Sequence, residues 1–351
     1  MAASAEAVTA ALTSPLARVR PVDEPVPPAL RGSPAAEIFG RLVRMIDGER
    51  HEAVKPAVTA TLGALGAARV VDAAARWAGA LAADIGPRTE PPRLARFALD
   101  LPVHVVASLL GVPGSEVPRI AGWAGELARG FAPGSAPERV ERATAAAGEL
   151  LERLQARLAE PATGEDGGFL TLLARTTPDM GATVANGIGF LTQAYEATAG
   201  LIGNTLRALA QRPALAERVR AAPGLVEPVM REVARHDPPV QNTRRFIAAD
   251  GTLGGARMAA GDAVLVLLAA ANRDPAANPD PHRFDPLRIA PRMFTFGVGG
   301  HACPGERLAV AIARAGVERV LAAGVTLEPL AHPTTYRASA NGRIPLFGLA
   351  D

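Results

Sequence analysis

The 351-residue sequence contains a single cysteine, Cys303, and this scarcity excludes several kinds of site. One thiol cannot form an internal disulfide framework or a zinc site built from several cysteines. The six histidines show no ligand pairing. His51-Glu52 begins like a zinc-protease helix, but Lys55 occupies the position of the second imidazole. If Cys303 has a chemical role, it acts alone or with a cofactor.

Long apolar runs and long runs of one charge are also missing. No uninterrupted stretch reaches the ~20 apolar residues of a membrane span, and Met1–Leu12 lacks the basic and apolar regions of a secretory signal. The net charge of +2 comes from 37 basic and 35 acidic residues mixed along the chain. Without a polybasic run, a nucleic-acid groove is not expected. We expect a cytoplasmic protein that binds neither membrane nor nucleic acid.

Short Pro, Gly and Asp punctuation divides the chain into helical segments, the longest from about Ala182 to Gln211. With no internal repeat or long linker, we predict a single domain over residues 1–351 that is mainly α with small β-sheets. Further helices are predicted over Ala5–Leu12, Ala35–Arg44, Ala53–Leu65, Val70–Ala83, Arg93–Leu110, Val117–Arg129, Ala136–Leu158, Phe169–Arg175, Leu215–Ala221, Leu225–His236 and Pro304–Ala323. Strands are predicted over Thr243–Ala248, Ala263–Ala270 and Val325–Leu330.

The most informative stretch surrounds the cysteine. Gly297 and Gly299 allow a tight backbone that can approach a flat ligand closely. Cys303 precedes a predicted helix whose first residue is Pro304, a favoured position for proline. The free N–H groups and dipole of that helix would lower the thiol pKa. A thiolate ligand donates electron density to heme iron and favours O–O cleavage.

Cys303 has three other possible interpretations. A lone cysteine is by default an inert buried residue. A nucleophilic cysteine needs a base, and His301 is near, but neither interpretation explains the glycines. The spacing Gly297-x-Gly299-x-x-Ala302 also fits a relaxed dinucleotide fingerprint, although no long buried strand precedes it.

The segment Phe296-Gly-x-Gly-x-His-x-Cys303-x-Gly305 resembles the heme-binding signature of bacterial cytochromes P-450, with every fixed position filled. The resemblance implies the cytochrome P-450 fold and heme b bound through Cys303, with Phe296, Gly297 and Gly299 in the supporting loop. It implies a monooxygenase or oxidase that oxidises C–H bonds of a small apolar, natural-product-like molecule. Electrons would come from a ferredoxin and its reductase, docking near Arg307 and Arg314.

Other parts of the chain extend the resemblance. Glu232-Val-Ala-Arg235 matches the family's E-x-x-R helix, and Arg283 in Pro281-His-Arg-Phe284 would complete a structural ion-pair triad. By the same resemblance four cations would hold the two heme propionates: Arg245, His301, His51 and Lys55. The family usually has arginine in place of Lys55, so a two-pronged clamp becomes a single point charge.

The long helix departs from the family at one catalytic position. Glu196 matches the acid of the family's A-G-x-E/D-T-T stretch, but Ala197 stands where the alcohol that assists oxygen activation should be. Thr198 follows, but one residue turns a helix by ~100°, so it points elsewhere. Glu196, Ala197 and Thr198 form the candidate catalytic set. A substrate hydroxyl or water could replace the alcohol, peroxide could be used directly, or radicals could be coupled.

The candidate substrate contacts follow family position. They are the segment Pro25–Phe39, helix residues Phe190, Gln193, Ala194 and Ala197, then Val240, Gln241 and Asn242, and the turn near Ala340–Asn341. The matching region begins near Ala5, so the family's first helix and first strands would be absent and Ala263–Ala270 would lack partners. Two further classes stay open: a heme-binding protein without turnover and a non-heme cysteine enzyme.

Overall fold

A computed structural model describes residues 1–132, 134–160, 168–177 and 179–350 of the chain. These residues are mainly helical. The α-helices are α1 Ala5–Thr13, α2 Pro34–Phe39, α3 Gly48–Gly63, α4 Ala67–Leu81, α5 Pro91–Leu109, α6 Val117–Gly130, α7 Pro137–Ala159, α8 Phe169–Ala174, α9 Met180–Ala210, α10 Pro213–Ala221, α11 Val226–His236, α12 Leu268–Asn272 and α13 Glu306–Ala322. The strands are β1 Ala17–Arg18, β2 Thr243–Ile247, β3 Gly251–Leu253, β4 Ala256–Met258 and β5 Ala263–Val266.

The long helix α9 runs through the main apolar core and packs against α5, α6 and α13. Asp179 caps its start, where the side chain accepts a hydrogen bond from the Ala182 N–H. Near its middle Gly200 allows close packing, because a Cβ there would lie 2.7 Å from the Pro239 Cβ. The prediction of a long central helix over this region is confirmed.

A three-stranded antiparallel sheet has the order β1-β2-β5, with Arg245 of β2 opposite Val264 of β5. Strand β5 also forms a parallel bridge from Val266 to Ala2. The expectation that Ala263–Ala270 lacks partners is therefore wrong. Helix α1 covers this sheet and buries Val8 in a second, smaller core.

Three local predictions fail for identifiable reasons. The helix predicted over Ala35–Arg44 ends at Phe39, and a separate 3-10 turn covers Val43–Met45. The predicted third strand is absent at Val325–Leu330, where a 3-10 turn covers Glu328–Ala331 and Pro329 offers no N–H for pairing. Strand β5 stops at Val266 because its partner strand begins at Thr243, directly opposite.

The single-domain assignment stays a prediction. Within the described ranges, no single helix is long and apolar enough to cross a membrane, and α3 with α4 passes such a test only as a pair bent by 74°.

Candidate functional site

The cysteine loop is closed by its own backbone. The Gly297 N–H donates to Phe294 O at 2.8 Å, and the Cys303 N–H donates to Phe296 O at 2.7 Å. Gly297 and Gly299 have φ of 70° and 74°, a left-handed conformation that favours glycine. A Cβ at Gly299 would also lie 3.1 Å from the Leu12 carbonyl oxygen. The predicted reason for these glycines, a tight backbone, is confirmed.

The Cys303 side chain is accessible to solvent although it is surrounded by protein atoms, as a group on the floor of a cleft would be. Burial raises its thiol pKa above the ordinary value, while the Gly305 N–H and Lys55 act in the opposite direction. The prediction of a lowered pKa is wrong in the protein alone. The reason is that burial outweighs the stabilising N–H groups. The predicted start of the following helix is also wrong, since α13 begins at Glu306 and Pro304 is not its first residue.

Three residues connect the loop to the start of α3. His301 Nε2 lies 3.0 Å from Asp47 Oδ1, and Asp47 Oδ2 accepts the Val19 N–H at 2.8 Å. The His51 ring stacks near the His301 ring, with centroids 4.1 Å apart. Asp47 was missed in the sequence, although an Asp directly before a helix is a recognised start signal.

Two cations beside this cluster have donors left over. Lys55 Nζ donates to the Ala302 carbonyl at 2.6 Å, which uses one of its three N–H donors. The buried Arg245 guanidinium donates to the Arg244 carbonyl at 2.8 Å and makes no ion pair within the described residues. The buried His51 Nε2 has no hydrogen-bond partner in the described part of the chain. All are donors that an anion could use.

The pKa shifts of these three residues agree with a site that binds an anion. The pKa of His51 is lowered from 6.5 to about 4, first by burial and then by the neighbouring His301 and Lys55. Burial also lowers the pKa values of Lys55 and Arg245. His51 is therefore neutral near pH 7, and the two cations, Lys55 and Arg245, lie in a poorly solvated place where an added anion would stabilise them.

The E-x-x-R pair forms a second, fully closed cluster. Arg235 donates to both Glu232 carboxylate oxygens, at 2.8 and 2.7 Å. Its other N–H donors reach the carbonyls of Asn272, Pro281 and Arg283. All five guanidinium donors are therefore satisfied by the protein, and the predicted ion pair is confirmed.

The third member of the predicted triad is wrong. The Arg283 side chain is 71% exposed and points to Asp285, at 3.8 Å; only its carbonyl oxygen reaches Arg235. Arg288 takes the charged position instead, with Nε 3.8 Å from Glu232 Oε2 and an 11% exposed side chain. Arg288 lies five residues after Arg283 in a loop, where no helical or strand periodicity predicts which side chain points inward.

An accessible patch interrupts the buried surface of α9. Residues 182–189 and 198–206 are buried, whereas Phe190, Gln193, Ala194, Glu196 and Ala197 are partly accessible. The spacing 190, 193, 194 and 197 places four of them on one helix face. The structure thus groups the helix residues predicted to contact substrate, and that role stays a prediction.

Two candidate catalytic residues of α9 differ in their surroundings. Glu196 Oε1 lies 3.6 Å from Nε of the buried Arg337, a cation that no sequence motif indicates. Thr198 is only 2% exposed, on the buried side of the helix. The ~100° rotation between neighbouring helix positions explains this placement, and the role of Thr198 in proton transfer stays a prediction. Ala197 stays in the patch without a hydroxyl.

The two remaining candidate substrate segments lie together. The Gln241 N–H donates to the Asn341 carbonyl at 2.8 Å, and Asn242 Nδ2 donates to the Ala340 carbonyl at 3.2 Å. Val240 bridges to Gly342. The segment Pro25–Phe39 is less of a loop than predicted, because helix α2 occupies its end and buries Ile38.

Comparison with solved structures identifies the fold. The chain is similar to cytochrome P-450 BioI in complex with an acyl carrier protein bearing hexadec-9Z-enoic acid, with a TM-score of 0.83 and 22% identity over 97% of this chain and 89% of that one. It is also similar to CalO2, with a TM-score of 0.77 and 25% identity over 92% and 82% of the two chains. The fold is the mainly α cytochrome P-450 fold.

Sequence relatives identify the family. The cytochrome P-450 family model matches residues 169–323, which include the α9 patch, the Glu232–Arg235 pair and Cys303. The monooxygenase PikC of Streptomyces venezuelae is 34% identical over 233 residues, covering 64% of this chain and 54% of PikC. The vitamin D(3) 25-hydroxylase of Pseudonocardia autotrophica is 32% identical over 274 residues, covering 74% of this chain and 66% of that enzyme.

The chain belongs to the cytochrome P-450 family. The match spans about half the length of PikC and about two thirds of the hydroxylase. Enzymes of this family use heme iron, and the site residues fit that cofactor. An accessible thiol lies on a glycine-rich floor, and the orphaned His51 Nε2 lies beside Lys55 and Arg245. The iron of a heme would bind the thiol, and its propionates would accept hydrogen bonds from His51, Lys55 and Arg245.

Proposed function

We propose that this chain is a heme-thiolate monooxygenase that oxidises a C–H bond of a small, largely apolar, natural-product-like molecule with O2. The observation that carries the proposal is the pairing of the accessible Cys303 with the incomplete cation cluster beside it. A thiolate and two carboxylate-binding regions are the protein groups that heme requires.

Each group of site residues has a separate role in the proposed function. Cys303 would bind the heme iron through its thiolate, on a loop closed by the Phe296–Cys303 backbone hydrogen bond. His51, Lys55, His301 and Arg245 would hold the propionates. When bound, heme supplies the iron chemistry that activates oxygen for attack on an unactivated C–H bond. The Phe190, Ala194 and Ala197 face of α9 excludes water and orients an apolar substrate.

Proton delivery in this part of the site would fall to Glu196, because Ala197 carries no hydroxyl. Glu196 is held by Arg337 and is partly accessible. A substrate hydroxyl or an ordered water next to Ala197 would supply the missing alcohol. The second candidate, a heme protein without monooxygenase turnover or one driven by peroxide, is favoured by this same alanine.

Electrons come from a ferredoxin-type partner in this proposal. Arg307 is exposed on α13, but Arg314 already pairs with Glu318 at 2.7 Å and Glu227 at 3.7 Å. The docking surface is therefore less basic than the sequence suggested, and Arg307 is the better contact. Reversing the charge of Arg307 should slow ferredoxin-supported turnover; an unchanged rate would contradict docking there.

The first experiment is the absorption spectrum of the dithionite-reduced protein under carbon monoxide. We expect the strongly red-shifted Soret band of a thiolate–heme–CO complex, and its loss in Cys303→Ser. Ala302→Ser introduces the same hydroxyl one residue away and should keep the band. A protein that takes up no heme, or a band that survives in Cys303→Ser, overturns the proposal.

Turnover then separates the two candidates. A monooxygenase consumes O2 and oxidises a substrate when ferredoxin and its reductase are supplied, whereas a peroxide-driven enzyme forms product with hydrogen peroxide alone. A heme-binding protein without turnover would show the thiolate band yet form no product under either condition.

A further inference from the structure

The accessible face of α9 presents one polar side chain. The residues at positions 190, 193, 194 and 197 share this face and are all partly accessible. Three of them, Phe190, Ala194 and Ala197, carry hydrocarbon side chains. The fourth is Gln193. A molecule in contact with this face therefore meets a hydrocarbon wall that carries a single amide.

This face is a recess between two packed segments. Four residues before Gln193, a Cβ at Gly189 would lie 2.6 Å from Leu42 Cδ2. Beyond the other end of the patch, a Cβ at Gly200 would lie 2.7 Å from the Pro239 Cβ. Both glycines are buried, as are their neighbours on α9. A molecule that reaches the patch is therefore bounded by protein at both ends of it along the helix.

The Gln193 amide is held in one orientation. Its Nε2 donates to the Gly189 carbonyl at 2.8 Å. The reverse orientation would place the amide oxygen against that carbonyl oxygen, and two acceptors repel each other. Gly189 also leaves room for the amide, since a Cβ there would lie 3.1 Å from Nε2. The amide oxygen Oε1, on the other side of the amide carbon, is therefore directed away from this carbonyl.

The Gln193 Oε1 atom is an acceptor that a ligand can use. Within the described residues it accepts no hydrogen bond, and an amide oxygen has two lone pairs. An acceptor on an apolar wall favours a ligand that donates a hydrogen bond over a ketone or a carboxylate, which can only accept. An aliphatic amine is protonated near pH 7, and its charge is costly to bring against hydrocarbon side chains. A neutral hydroxyl is the donor that fits.

We propose that Gln193 accepts a hydrogen bond from a hydroxyl of the substrate, so that this site selects apolar molecules that carry a hydroxyl group. The inference rests on the proposed heme-thiolate function and narrows its substrate class. A single directional contact on an otherwise apolar wall fixes how the molecule lies along α9. An ordered water is the other source of an O–H donor, and ligand binding separates the two sources.

The test uses ligands that are anchored at the iron of the heme-loaded protein. An imidazole coordinates heme iron directly, so ω-(imidazol-1-yl)alkanols and the 1-(ω-fluoroalkyl)imidazoles of equal chain length both bind, and Soret titration gives their dissociation constants. Fluorine is close to a hydroxyl in size but cannot donate a hydrogen bond. We expect at least one chain length at which the preference for the alcohol is roughly 3- to 10-fold larger in the wild type than in Gln193→Leu. Gln193→Glu keeps an acceptor on a side chain of the same length and should keep the preference.

The Gly189 carbonyl keeps the Thr192 hydroxyl as a donor at 3.2 Å in Gln193→Leu, so the helix should be undisturbed. The matched control is Gln211→Leu at the exposed end of the same helix, which should keep the wild-type preference. A preference that is equal in the wild type and Gln193→Leu at every chain length assigns Oε1 to water and overturns the inference. Equal loss in Gln193→Glu and Gln193→Leu assigns the effect to side-chain shape and also overturns it. If the reduced protein gives no thiolate–CO band, the proposed function fails first, and the two failures are thereby distinguished.

Discussion

Two buried arginines, Arg235 and Arg245, differ in how completely the protein satisfies their N–H donors. Arg235 is fully buried and each of its five N–H donors has a protein acceptor. Arg245 is 5% exposed, and within the described residues it donates to the Arg244 carbonyl and, at 3.5 Å, to the Thr243 hydroxyl. Both residues match positions of the cytochrome P-450 family, but only the hydrogen bonds of Arg235 are complete without a ligand.

The difference shows how a buried charge can be interpreted. A cation whose donors are all satisfied contributes to the fold, and removing it leaves its carboxylate buried without a partner. A cation that lacks a carboxylate is unfavourable until an anion binds. The same residue type thus predicts a stability defect at one position and a binding defect at the other.

The largest effect should follow the loss of the closed cluster. Arg235→Leu removes the two guanidinium donors of the buried Glu232 and leaves only the Asp285 N–H and Arg288, 3.8 Å away, beside its carboxylate. We expect the free energy of unfolding to fall by about 3–5 kcal/mol. The comparison variant is Arg231→Leu on the same helix, where a 46% exposed arginine pairs with Glu227 at 3.0 Å. Exposed pairs are worth about 0–1 kcal/mol. Urea unfolding of both variants measures the difference, and equal losses would contradict the comparison.

Sequence reasoning found the closed cluster in part, and the missing part is instructive. Glu232 and Arg235 were found because a fixed spacing on a helix brings two side chains together. Arg288 was not, because it lies in an irregular segment whose backbone turns decide which arginine points inward. Arg283 matched the motif in sequence, but its side chain is exposed.

In the rest of the molecule, too, features with a local sequence pattern could be predicted and features that depend on long-range contacts could not. The long helices and the glycine-rich cysteine loop follow from periodicity, punctuation and a specific motif. The start of α13, the end of β5 and the raised Cys303 pKa could not be predicted, since each depends on contacts between distant segments. Arg337 was missed for that reason, because its burial is a property of the assembled fold.

A smaller effect is expected at the incomplete cluster. Arg245→Gln removes a donor to a propionate, and we expect heme affinity to fall by roughly 10- to 100-fold, as for loss of a charge-assisted hydrogen bond. Heme transfer to an excess of apomyoglobin measures the loss. Arg244→Gln changes the neighbouring exposed residue of β2 and should release heme at the wild-type rate. The heme-free Arg245→Gln protein should be no less stable than the wild type, and a large destabilisation would make the two arginines alike.

The smallest effect concerns the pH dependence of the heme-free protein. The pKa of His51 is about 4 in the fold and 6.5 for an ordinary histidine, so the unfolded chain binds the additional proton between these values. The stability contribution is present above pH 6.5 and is lost as pH falls toward 4. Because the ring is partly solvated, we expect a loss on the order of 1–2 kcal/mol.

Unfolding measured across this pH window tests the assignment. His51→Asn should flatten the dependence, whereas His332→Asn, at an exposed position, should preserve it. A dependence that survives in His51→Asn would place its origin at another group.

The bonds between the α3 region and the cysteine loop have a consequence for biosynthesis. Asp47 and Lys55 contact residues that lie 254 and 247 positions later in the chain. At about 5–20 residues per second, translation needs roughly 12–50 s to make the intervening chain. During that interval the early half carries its histidine and lysine without their partners. In the proposed function, heme capture through Cys303 is therefore a late event, and the nascent chain must stay soluble until the segment around Cys303 emerges.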